Sequence, residues 1–143
     1  MKFKKCKEAF WILVVIVILL QLVQVERTNP PVTGEIVAPE QVMVILRRSC
    51  YDCHSNETAW PWYSYVAPMS WLVADDVHEA RRHMNFSQWA DYNTKQKNHK
   101  TKLCGKLVQE GEMPLWFYLP LHPDAQLLPE DIEILVAWSK SQQ

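Results

Sequence analysis

The sequence predicts an all-α fold, and three observations carry that expectation. Apolar residues recur at three- and four-residue intervals in several stretches, prolines and glycines fall between those stretches, and no alternating strand pattern appears along the 143 residues. The length leaves room for one ordinary core. With 48% hydrophobic and 22% charged residues and a formal net charge of −1, the chain carries no electrostatic footprint for nucleic acid.

The first element is residues 1–25, MKFKKCKEAFWILVVIVILLQLVQV, in which Lys2, Lys4, Lys5 and Lys7 precede an apolar run at residues 9–20, continued by Leu22, Val23 and Val25. A basic flank before such a run has the form of an export signal and leaves the N-terminus in the cytoplasm. Residues 9–25 reach the short end of what spans a bilayer, and no small-x-small cleavage site follows. The expectation is an uncleaved signal anchor: one N-terminal transmembrane helix, single-pass in the inner (cytoplasmic) membrane, with the C-terminal domain on the exported, periplasmic side. Cys6 precedes the apolar run and so does not fit a lipoprotein cleavage site.

Residues 26–39 hold three prolines and a glycine without helical period and read as a linker or extended arm. The domain proper is residues 40–143. Val42, Ile45 and Leu46, with Arg47 and Arg48 in the last turn, predict a helix that starts after Pro39 and runs into Cys50. Pro61 and Pro68 keep the next stretch irregular. Ser70 is placed to cap a helix to about Met84, with Leu72, Val73, Val77 and Ala80 inward. Thr94 is placed to cap another, with Leu103, Cys104, Leu107 and Val108 on one face and an end near Gly111. Four prolines in GEMPLWFYLPLHPDAQLLP forbid a long helix there, and the last of them, Pro129, suits the first turn of a final helix with Ile132, Leu135 and Val136 inward.

The chemistry lies in CYDCH: Cys50, Cys53 and His54 form CxxCH, the c-type haem attachment signature. Two residues between the cysteines let both sulfurs reach the vinyl groups on one porphyrin edge, and the next residue can turn under the iron as proximal axial ligand. One covalent haem c, and a chain delivered to the c-type haem attachment machinery, follow from this reading. Trp60, Trp62, Tyr63 and Tyr65 come directly after and are candidates for the wall of a haem pocket; an ordinary aromatic core is the plainer reading of the same rings. Three other readings of the cysteines stand beside this one. A thioredoxin-like CxxC wants a strand before it, where a helix is expected here. A structural zinc site would recruit His99 and Cys104 alongside Cys50 and Cys53. A Cys50–Cys53 disulfide leaves His54 without a role.

At these residues the sequence resembles a family of bacterial haem-binding domains with CxxCHSNxTxWPWY, a following APxSW, a GEMP segment and LHPxAxL before the last helix. The matching text is CYDCHSNETAWPWYSYVAPMSW and GEMPLWFYLPLHPDAQL, and the resemblance covers residues 39–140. It implies a small cytochrome c-like helical domain around one covalently bound haem, with Cys50 and Cys53 as attachment sites and His54 as axial ligand. Leu115 stands where such families often carry a further proline.

For the distal iron position Met113 leads, because it precedes Pro114 in a non-helical loop late in the chain, as in the distal loop of small c-type cytochromes. The rivals are His78, His83, His99, His122, Met69 and Met84. Cys104 reads as a small core residue. A His54/Met113 pair suits one-electron transfer between redox partner proteins at the membrane, with no catalytic residue required. A haem-based sensor or accessory domain is the alternative. A peroxidase would need distal acid/base groups that the sequence does not display.

Overall fold

The helical periodicity resolves into six α-helices in a computed structural model that describes residues 2–142: α1 (Lys2–Leu20), α2 (Glu40–Ser49), α3 (Tyr51–His54), α4 (Met69–His83), α5 (Thr94–Gln109) and α6 (Pro129–Ser141). Met1 and Gln143, the ends of the expected leader and domain, lie outside the described residues. Short 3₁₀ turns at Trp62–Tyr65, Trp89–Asp91, Leu119–Leu121 and Pro123–Ala125 fill the proline-rich stretches. The all-helical expectation therefore holds among the described residues.

The transmembrane helix does not. Among those residues no helix is long and apolar enough to cross a membrane, and the expected single-pass placement in the inner membrane loses its basis. The cause is local. The first turns of α1 are the lysine-rich segment, and the helix stops at Leu20, so its uninterrupted apolar part is residues 9–20. That part is about 18 Å long at 1.5 Å per residue, against a hydrocarbon core of about 30 Å. Gln21 marks the break. Its Nε2 donates to Val17 O (2.9 Å) and Ala67 O (3.2 Å), and its Oε1 accepts from Ala67 N (2.9 Å).

The chain divides into two compact units: Met1–Thr28 with Trp60–Asp76, and Asn29–Ala59 with Val77–Gln143. In the first, Trp71 Nε1 donates to Val23 O (3.2 Å), and the Arg27 guanidinium lies 4.6 Å from the centre of the Tyr65 ring. α4 begins at Met69, one residue before the expected cap, so Ser70 is a buried first-turn residue. Ala74 and Val77 are its buried apolar positions, whereas Leu72, expected inward, is exposed.

The second unit holds the core. Val42, Ile45 and Leu46 of α2 meet Val108 of α5 and Leu135 and Trp138 of α6, with Tyr51, Phe86, Ile36 and Leu127 completing the cluster. α2 has the expected inward residues, and its Arg48 pairs with the buried Asp131 carboxylate at 2.5 Å. Asp131 is thereby held at the start of α6, where its Oδ2 also accepts from Leu128 N (2.9 Å). α5 is capped by Asn93 and not by Thr94: Asn93 Oδ1 accepts from Gln96 N, and Gln96 Oε1 accepts from Asn93 N, both at 2.9 Å. Asn93 has the extended backbone a cap requires, which makes Thr94 the first helical residue. Part of the proline-rich arm is built into this unit, for Thr33 N and Gly34 N donate to Ser87 O and Ile36 N donates to Phe86 O.

Candidate functional site

Cys50 closes α2, its N–H donating to Leu46 O (2.9 Å), and its carbonyl then accepts from Cys53 N (3.2 Å) and His54 N (2.9 Å). Tyr51–His54 is thus one turn of helix, with Cys50 as the residue that precedes it. Positions three apart share a face of such a turn, which brings Cys50 and Cys53 to the same side. Cys50 and Cys53 are both half-buried. Burial, then the neighbouring Cys104 and Cys53, pushes the Cys50 thiol far above its usual range, so the sulfur stays protonated.

His54 Nδ1 faces two backbone carbonyls, Ala80 O (3.2 Å) and Met84 O (3.0 Å), at the C-terminal end of α4. Both partners are acceptors, so Nδ1 carries the proton and Nε2 presents its lone pair. Burial lowers the imidazole pKa, against the two carbonyls that raise it, and the neutral ring is the favoured form. Metal-bound histidines are oriented in this way, with the second nitrogen's N–H fixed by a carbonyl.

The residues after the motif hold this turn in place. Ser55 Oγ donates to Tyr51 O (2.7 Å), Asn56 N donates to Ser87 Oγ (2.9 Å), and Thr58 Oγ1 donates to Asp52 O (2.7 Å). Arg81 on α4 donates from Nε to Ser55 O (2.7 Å) and from Nη2 to Thr58 Oγ1 and Asn29 Oδ1 (2.9 Å each). Ser55, Asn56 and Thr58 are all buried. Ser55, Asn56 and Thr58 are marked in the sequence only by the SNxT text of the family motif, and Arg81 carries no such signal.

Met113 comes to the same core as the motif: it is half-buried and packs against the cluster together with Cys50 and Met84. Gly111, at φ 72°, turns the chain after α5, and Glu112 N (2.9 Å) and Met113 N (3.3 Å) both donate to Leu107 O. The rivals sit otherwise. His83 Nε2 lies 2.8 Å from Glu79 Oε1, His99 is exposed on α5, His122 stacks on Tyr118 at 4.0 Å, and Met69 is exposed. His78 is half-buried on α4, and Met84 lends its carbonyl to His54.

Trp60, Trp62, Tyr63 and Tyr65 belong to the first unit, where Trp62 and Tyr65 are largely exposed. The zinc arrangement is not assembled: no three His, Cys, Asp or Glu residues among those described gather to hold a metal ion. Five positions along a helix turn about 140° from one another, so exposed His99 and buried Cys104 face different ways.

Two thiols three positions apart, an imidazole whose Nδ1–H is already engaged by carbonyls, and a thioether on the same core are groups that fit a haem: the thiols suit its vinyl groups, the imidazole and the thioether its iron. Residues 15–141 match the family described as Haem-binding domain. The chain belongs to that family. It is a haem-binding protein, and the match takes in the whole second unit except its last residues. Comparisons with curated proteins and with solved structures found no match.

Proposed function

We propose that this haem-binding domain carries one c-type haem and passes single electrons between redox partner proteins. Cys50 and Cys53 hold the group through two thioethers made by the c-type attachment machinery, His54 Nε2 is the proximal ligand and Met113 the distal one. A haem bound here supplies an iron centre that accepts and returns one electron. His54, held by two carbonyls, is fixed in tautomer and direction before any ligand arrives. Met113 offers a soft sulfur that favours reduced iron. The reading rests above all on the His54 Nδ1 contacts at the end of α4.

The test is maturation of the chain with the attachment machinery, followed by acid/acetone extraction. The pigment is expected to stay with the polypeptide, and Cys50→Ala/Cys53→Ala to release it. A colourless chain, or a parent protein whose haem is extracted, overturns the covalent assignment.

A further inference from the structure

We propose that Tyr118 is a positioning residue: its hydroxyl, bonded to Asp52 between the two cysteines, latches the loop that carries Met113 onto the attachment turn. The inference rests on the reading of Met113 as distal ligand.

Tyr118 Oη donates to Asp52 Oδ2 at 2.7 Å. Asp52 is a fixed anchor, since its Oδ1 accepts from Ala59 N (3.0 Å) and its main-chain carbonyl accepts from Thr58 Oγ1 (2.7 Å). On the loop side, Tyr118 N donates to Leu115 O (3.0 Å), Leu121 N donates to Tyr118 O (3.3 Å), and the ring is stacked on His122 with planes 7° apart. The tyrosine therefore moves with its loop, and the aspartate moves with the haem-attachment turn.

The loop leaves α5 through the Leu107 carbonyl that receives Met113 N. Beyond Met113, which packs on the core, Trp116 is 80% and Phe117 39% exposed, so these two rings tie the segment down only weakly. The Tyr118–Asp52 hydrogen bond adds a polar tie past those two rings. Hydrogen bonds to a carboxylate are short and stronger than neutral ones, and this one joins two segments 66 positions apart. Held at both ends, Met113 has few alternative places to go, which is how a weak sulfur–iron bond is kept closed.

The experiment uses the haem-loaded full chain. Imidazole is titrated into the oxidised protein, and hydrogen exchange is followed at the amides of residues 113–122, for the parent, Tyr118→Phe, Asp52→Asn and the double variant. Tyr118→Phe keeps the ring and its stack but loses the donor. It is expected to bind imidazole about tenfold more tightly, the equivalent of one charge-assisted hydrogen bond. Its exchange should quicken in 113–122 alone, with covalent haem unchanged. The double variant should go little further than Tyr118→Phe, because both changes break one tie. Parent-like exchange in Tyr118→Phe and Asp52→Asn overturns the latch, as does acceleration spread over the whole chain or full additivity of the two changes. Failure of the ligand reading looks different: Met113→Ala then leaves the spectrum and imidazole affinity unchanged, whatever the exchange of the loop shows.

Discussion

A histidine is prepared for a metal by the fate of its other nitrogen, and the Nδ1–H of His54 donates to Ala80 O and Met84 O, 26 and 30 positions further on. The spacing of CxxCH singles out Cys50, Cys53 and His54 as candidates without any structure, because they fall within five consecutive residues. Their supports are not legible in that way. Ser87, Arg81, Ala80 and Met84 are far along the chain, and no local pattern of apolar and polar residues records a long-range hydrogen bond. Cys104 was legible as a core residue from its place on the apolar face of α5, and it is buried. Burial pushes its thiol from 9.0 up to about 11. Two consequences follow from that direction. At pH 8 the native protein should resist alkylation at Cys104 while exposed Cys6 reacts, as mass spectrometry of the labelled chain would read. Between pH 9 and 11 the unfolded chain loses this proton before the folded one does, so alkaline conditions should erode stability. Prompt labelling of Cys104 in the folded protein would contradict the assigned burial.

Elements were read from the sequence where their reasons are local. α2 shows its inward residues through spacing alone, and α6 starts at its proline. The extent of α1 is not legible, because a run of apolar letters does not state where the helix stops. It ends at Leu20, and the side chain of the next residue, Gln21, pairs with the backbone of Ala67, 46 positions away. The α5–α6 contact is equally silent in the sequence. A Cβ placed on Gly105 would lie 2.6 Å from Ser139 Cβ and 2.1 Å from its Oγ. Gly105→Ala should therefore destabilise the domain even though alanine favours helix by up to about 1 kcal/mol, since overpacking costs about 1–3 kcal/mol. Thermal or denaturant unfolding would measure the loss, and Ser139→Gly should recover part of it. A Gly105→Ala protein as stable as the parent would mean that the two helices pack less closely than described.

At the scale of the molecule, the candidate site is assembled from a turn after α2, the last carbonyls of α4 and the loop after α5, and Cys50, Met84 and Met113 all rest on one core cluster. Such a construction favours a site that stays closed. An electron carrier profits from that, because little has to rearrange when charge arrives, whereas a sensor needs a position that a gas molecule can take. Carbon monoxide added to the reduced protein separates the two. If Met113 occupies the distal position, it must leave before the gas binds, so the observed rate should rise with carbon monoxide concentration and then level off at the rate of methionine departure. Met113→Ala should abolish the plateau and make the rate proportional to concentration, with the haem still attached. It should also lower the reduction potential, since a soft ligand that prefers reduced iron has been removed. A parent protein whose rate never levels off would have an open distal position, and the sensor reading would then replace electron transfer.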